Sequence, residues 1–301
     1  MKPARAGAVA LALLAAAAPA GAQSLRWSDF RDPRPGVASS TPAGTGPRAG
    51  GFTTSGGARL RLVQRDDGVE AWVDNPLAGP VEAMLHADEA VPGSDPPLPA
   101  RGTVPAQSGA LLARLPHARP RLRLEAVPGS PNARPRDVEY GWPLRTGSLR
   151  IQQAWGGRYS HADDANRYAV DLAAPAGTPV LAAREGVVMQ AEGGFPDVAA
   201  GGDEAPGDRA NFVRVLHDDG TMALYAHLQR GGVLVEPGRR VRRGDAIGLS
   251  GNSGRSTAPH LHFVVQANRG MRLHSLPFRM FGPQGILRFR ETPPDDAPPS
   301  P

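Results

Sequence analysis

Pro259-His260-Leu261-His262-Phe263-Val264-Val265 alternates polar and apolar side chains at every second position, the period of a β-strand. On such a strand His260 and His262 emerge on one face, while Leu261, Phe263 and Val265 enter a core on the other. Two imidazoles then share one small site. That spacing lets one nitrogen ligate a metal while its neighbour contacts water or a developing oxyanion.

The segments around it follow the same period. Tyr168-Ala169-Val170-Asp171-Leu172 is a mostly apolar strand with one carboxylate embedded in it. Burying Asp171 alone is costly, and a metal ion or fixed cation offsets that cost. The alternative is that Asp171 caps the turn at Ala174-Pro175-Ala176-Gly177-Thr178. Phe212 to Leu216 and Met222 to Leu228 flank Asp218-Asp219-Gly220, a hairpin signal that delivers Tyr225 and His227 to one face. His217 abuts that turn and is expected at the surface without a role, and His274 is expected to be structural or to line a groove.

Before residue 147 the pattern is again one of short strands. Leu60 and Leu62 alternate with arginines, and an Asp67-Gly68 turn leads into Val69, Ala71 and Val73. Apolar runs follow at Val81 to Leu85, Leu111 to Leu115 and Leu122 to Val127, between Pro/Gly clusters. They predict a small β-sandwich over 58–146. His86 and His117 stand isolated there and carry no expected chemistry.

The ends differ in composition. Residues 1–22 carry Lys2 and Arg5, an alanine/leucine run and Ala20-Gly21-Ala22, the pattern of a cleaved secretory signal; the apolar run is short for a membrane anchor. Residues 23–57 are Pro/Gly/Ser/Arg-rich and are expected to be a flexible linker, and 291–301 a disordered tail. Loss of the signal removes two positive charges from the net +5 and leaves a mildly basic chain. That balance suits an anionic envelope polymer, and no basic stripe with interleaved aromatics points to nucleic acid. No later apolar stretch is long enough to span a membrane. The expected location is therefore outside the cytoplasm, periplasmic or extracellular.

Over 301 residues there are 37 glycines, 32 prolines and no cysteine. Disulfides, thiolate metal sites and a cysteine nucleophile are thereby excluded. Aromatic residues make up 5%, which predicts a core of aliphatic strands. Lys2 is the only lysine, so a biotinyl- or lipoyl-carrier reading of Val235 to Gly248 fails for want of an attachment site.

Several motifs in order resemble the LytM/lysostaphin-like family of zinc metallopeptidases over residues 147 to about 275. They are Asp171-Leu-Ala-Ala-Pro-Ala-Gly-Thr-Pro-Val180, Gly186-Val-Val, Leu224-Tyr-Ala-His-Leu228, Val235-Glu-Pro-Gly238, Val241-Arg-Arg-Gly-Asp-Ala-Ile-Gly248, and Ser250-Gly-Asn-Ser-Gly-Arg-Ser-Thr-Ala-Pro-His-Leu-His-Phe263. The resemblance implies an all-β chain: the sandwich, then over 147–290 a compact antiparallel peptidase domain of the duplicated hybrid motif kind. It implies hydrolysis of peptide cross-links between the stem peptides of bacterial peptidoglycan. Asp171 and His262 correspond to zinc ligands, and His227 and His260 to the two other histidines, which handle the attacking water and the tetrahedral intermediate. The family's first zinc histidine stands four residues before the aspartate, where this chain has Arg167. His161, ten residues before Asp171, is the nearest replacement, reachable because modest extra loop length costs little entropy. Asp163 or Asp164 could substitute. One Zn2+ per chain on His161, Asp171 and His262 would keep an open position for water. The turn Gly251 to Gly254 and the segment Gly193 to Asp208 are expected to wall a peptide groove. A catalytically degenerate relative that binds cell wall or activates an amidase is the competing implication.

Overall fold

A computed structural model describes residues 57–116, 120–146, 149–157, 159–198, 209–282 and 284–289. The expected signal (1–22), nearly all of the linker (23–57), the tail (291–301), His117 and most of the segment up to Asp208 lie outside these residues. All regular structure among the described residues is β.

The first six strands are β1 (Arg59–Arg65), β2 (Gly68–Asn75), β3 (Val81–Ala87), β4 (Ala100–Val104), β5 (Ser108–Leu115) and β6 (Leu122–Pro128). They form two three-stranded antiparallel sheets, ordered β1-β2-β5 and β4-β3-β6. Period-2 alternation explains their packing. Val69, Ala71 and Val73 of one sheet meet Val81, Ala83 and Leu85 of the other in a common core. The first hairpin turns at Asp66-Asp67, one residue earlier than the sequence suggests. Gly68 instead opens β2, where a Cβ would lie 2.2 Å from the Leu115 carbonyl oxygen. Strand β4, Ala-Arg-Gly-Thr-Val, holds too few apolar residues to signal itself.

The next strand, β7 (Glu139–Gly141), leaves the sandwich. Gly141 donates to the Ala183 carbonyl at 2.7 Å, Arg145 to that of Pro179 at 2.9 Å, and Leu144 bridges Val180. Residues 139–146 thus run along the second half of the chain rather than within the sandwich.

That half holds β8 (Ile151–Gln153), β9 (Val170–Ala173), β10 (Pro179–Leu181), β11 (Gly186–Glu192), β12 (Asn211–Leu216), β13 (Met222–Val233), β14 (Arg240–Val241), β15 (Ala246–Ser250), β16 (His260–Asn268) and β17 (Leu273–Ser275). Their main path is β14-β11-β12-β13-β16-β9-β8, antiparallel throughout; β15 joins β10 to β13, and β17 pairs with β16. Strands β18 (Arg279–Gly282) and β19 (Gly285–Leu287) make a hairpin whose β18 lies parallel to β7.

Behind the β16 strand the core is aromatic. Phe263 meets Tyr225 at 5.2 Å, Phe278 at 5.1 Å and Tyr140 at 6.0 Å between ring centres, all edge-on. The expected aliphatic strands carry the sandwich core, and in the larger sheet they share the core with this aromatic cluster. Whole-chain composition averages out rings that converge from distant segments.

The sandwich seats on the larger sheet. Met189 and Met222 belong to its core cluster, and Ala78 donates to the Met189 carbonyl at 3.2 Å. A Cβ on Gly79 would come within 2.8 Å of the Met189 side chain, so the glycine permits the close approach.

Candidate metal centre

Strand pairing builds the site. His262 of β16 lies opposite Asp171 of β9 on one side and Ala226 of β13 on the other. Directly paired residues share a sheet face, so His260, His262 and Asp171 converge while Leu261 and Phe263 point away. Asp171 does not cap the following turn. Its Oδ1 lies 2.9 Å from His262 Nδ1, 3.2 Å from His161 Nε2 and 3.7 Å from His260 Nε2, and its Oδ2 accepts from Gln153 Nε2 at 3.3 Å. His161 is 0%, His262 1% and Asp171 7% exposed.

The loop before β9 folds back to deliver His161. The His161 amide donates to the Gly157 carbonyl at 2.9 Å, and Asp163 Oδ1 accepts from the Ala165 and Asn166 amides at 2.8 and 3.0 Å. Asp163 is thus engaged within the loop. Asp164 is exposed, and its carbonyl receives the Ser275 amide at 2.7 Å. Neither carboxylate joins the cluster. Arg167, at the family's usual ligand position, is exposed with its guanidinium 5.7 Å from the Tyr168 ring centre.

His227 arrives by a different device from the one the alternation predicts. Strict period 2 would place it with Tyr225, on the face of Phe263. The β12–β13 register instead shifts beside it, and His227 takes a φ of 61°. This bulge turns its ring to the site, 4.6 Å from His260 and 5.9 Å from His262 between ring centres. Tyr225 stays on the opposite face, where its hydroxyl accepts from the Ala183 amide at 2.7 Å.

The segment Gly251 to Ala258, which begins with the expected turn Gly251 to Gly254, orients the two histidines that flank the cluster. His227 Nδ1 donates to the Ser253 carbonyl at 2.7 Å. His260 Nδ1 lies 2.8 Å from the Ala258 carbonyl and 3.1 Å from Ser256 Oγ. A carbonyl only accepts, so Nδ1 of each ring carries a proton, and His227, kept neutral by burial, has its lone pair on Nε2. The two expected groove walls meet at Asp197, whose carboxylate accepts from the Asn252 amide at 2.9 Å and the Arg230 amide at 3.1 Å. His217, expected at the surface, is 3% exposed, with its ring edge against Tyr140.

Electrostatics favours an ionised Asp171 and neutral His227 and His262. Burial alone would raise the Asp171 pKa, but hydrogen bonds with His161 and His262 hold it well below the usual carboxylate range. Burial lowers the pKa of His262, and burial with repulsion from His260 and His262 depresses that of His227.

His161 Nδ1 donates to the Ala154 carbonyl at 2.8 Å, so Nε2 is the nitrogen turned toward Asp171. Nδ1 of His262 and a carboxylate oxygen of Asp171 complete a set of three donor atoms, all within 4.8 Å of one another. Electron-rich atoms packed this closely repel unless a cation or proton lies among them. Two imidazoles and one carboxylate suit a divalent metal with an open coordination position. Sequence reasoning missed Gln153, Asn166, Ser253 and Ser256. Gln153, Asn166 and Ser253 act through hydrogen bonds across the fold, which leave no local pattern, whereas Ser256 reaches His260 only four residues on.

A family model described as Peptidase family M23 matches residues 165–273. The match begins four residues after His161, so that histidine lies outside it. An uncharacterized metalloprotease of Buchnera aphidicola is 38% identical over 96 residues, 32% of this chain and 22% of its own. Peptidoglycan DD-endopeptidase ShyA of Vibrio cholerae is 41% identical over 95 residues, 32% of this chain and 19% of its own. The catalytic domain of lysostaphin from Staphylococcus simulans is 32% identical with a TM-score of 0.27, covering 44% of this chain and 78% of that one. The chain spans about a fifth of the length of the curated relatives it matches. Residues 165–273 of this chain are a peptidase family M23 domain of the LytM/lysostaphin-like kind.

Proposed function

We propose that the chain is an exported zinc metalloendopeptidase that hydrolyses peptide cross-links of bacterial peptidoglycan. The observation that carries this reading is the convergence of His161, Asp171 and His262 as three facing donors, with His227 and His260 beside them. The matched relatives support the substrate class: one is named a peptidoglycan DD-endopeptidase and another a DD-carboxypeptidase/endopeptidase.

His161, Asp171 and His262 would hold the ion. When bound, zinc supplies Lewis acidity that lowers the pKa of a water and polarises the scissile carbonyl. The chain's own groups manage the protons. His227 is kept neutral by burial and by its imidazole neighbours, so it meets the substrate as a base at Nε2. His260 is oriented by Ser256 and Ala258 with Nε2 toward the same space, where it would donate to the developing oxyanion once that nitrogen has taken up a proton. A degenerate binding protein would have no physical reason to bury three facing donors and two further imidazoles.

The test is mass spectrometry of peptidoglycan fragments incubated with the mature protein, with zinc and with chelator. Zinc-dependent loss of cross-linked dimers is expected. Fragments left intact under both conditions, with zinc bound to the protein, would refute the reading.

A further inference from the structure

Asn166 is buried in the loop that carries His161, and it faces two ways. Its Nδ2 lies 3.1 Å from each carboxylate oxygen of Asp163, and its Oδ1 lies 3.2 Å from His262 Nε2. We infer that the Asp163–Asn166 pair positions His262 and sets which of its nitrogens meets the metal.

The chemistry runs in one direction. A carboxylate accepts hydrogen bonds and donates none, so Asp163 fixes the Asn166 amide with its nitrogen toward 163 and its oxygen toward His262. An amide oxygen facing a ring nitrogen requires a proton there. His262 therefore carries a proton on Nε2, and Nδ1, 2.9 Å from Asp171 Oδ1, is the nitrogen that would meet the metal. Gln266, on the same strand as His262, clamps the loop by donating to the Ala165 carbonyl at 2.8 Å. One loop thus carries a metal donor, His161, and the group that orients a second donor on β16.

This inference rests on reading the site as a metal centre, and metal affinity measured by chelator competition tests it without turnover. Asn166→Ala is expected to weaken zinc binding roughly 10- to 100-fold and to change the absorption of the cobalt-substituted protein. Asn166→Asp alone sets two carboxylates against each other and is expected to weaken binding as well. The double change Asp163→Asn with Asn166→Asp reverses the pair: the new carboxylate at 166 accepts from His262, and the new amide at 163 donates to it. It is expected to recover affinity and the wild-type cobalt spectrum. Unchanged affinity in Asn166→Ala, or a double variant no better than Asn166→Asp, would overturn the positioning role while leaving the metal centre standing. A wild-type protein that binds no zinc would overturn both.

Discussion

Replacing His217 by phenylalanine should make the fold markedly more tolerant of acid. His217 is buried with its Nδ1 donating to the Glu185 carbonyl at 2.7 Å, and its Nε2 is buried without a hydrogen-bond partner. Protonation would create a second buried N–H with no acceptor. Burial, together with repulsion from Arg184, outweighs the Glu185 carbonyl, Asp219 and Glu185 charges and pushes the imidazole from its ordinary 6.5 to about 4. Because the folded pKa is the lower one, the unfolded chain binds the proton first. The stability tied to the neutral ring is complete above 6.5 and is lost as pH falls from there to about 4. Each pH unit in that window removes about 1.4 kcal/mol, so wild type should lose about 2.5 kcal/mol through this residue between about pH 7.5 and about pH 4.5. Phenylalanine keeps a planar ring at the position and removes the titration. Urea unfolding of both proteins at the two pH values, with chelator throughout, reads the difference. Parallel losses in wild type and His217→Phe would refute the reasoning, whatever the absolute stabilities.

Two further outcomes separate the roles at the site. His161→Ala and Asp171→Ala should each abolish stoichiometric zinc binding and cell-wall hydrolysis together, whereas His227→Ala should keep the zinc and slow turnover by about 100-fold or more; metal analysis beside a hydrolysis assay checks this, and metal loss in His227→Ala would show the roles misassigned. Because His227 sits at a φ of 61°, His227→Gly should be more stable than His227→Ala by about 1 kcal/mol, and equal denaturation midpoints would show that the backbone there is unstrained.

What was legible in the sequence is what a strand period can carry. The pairing of His260 with His262 needs only alternation, and Asp171 stands out because a carboxylate in an apolar strand demands a partner. Both then meet through the β9–β16 register. The all-β architecture and the two-sheet sandwich follow from the same signal. His161 was legible less directly, as the nearest histidine upstream of a position that this chain fills with Arg167. A loop has no period, and only hydrogen bonds such as those of Asp163 reveal that it folds back.

The misplaced face of Tyr225 and His227 shows where pattern reasoning stops. Strand alternation assumes a continuous ladder, and the β12–β13 pair breaks it at the residue whose ring belongs in the site. Placing an imidazole on the other parity of a strand requires an extra residue, and here that residue also takes a left-handed backbone, which costs about 1–2 kcal/mol in a residue with a Cβ. Such a cost persists only where the surroundings offset it. Here the hydrogen bond from His227 Nδ1 to the Ser253 carbonyl ties the bulge to the turn that also orients His260. The strain is local and the turn is shared, so the geometry of both flanking histidines depends on one short segment, Gly251 to Ala258. Its glycine at 254 has a φ of 74° and leaves no room for a Cβ against Ala210. The parity break at His227 and the tight turn opposite it are two halves of one device: the first turns an imidazole into the site, and the second fixes the nitrogen it presents.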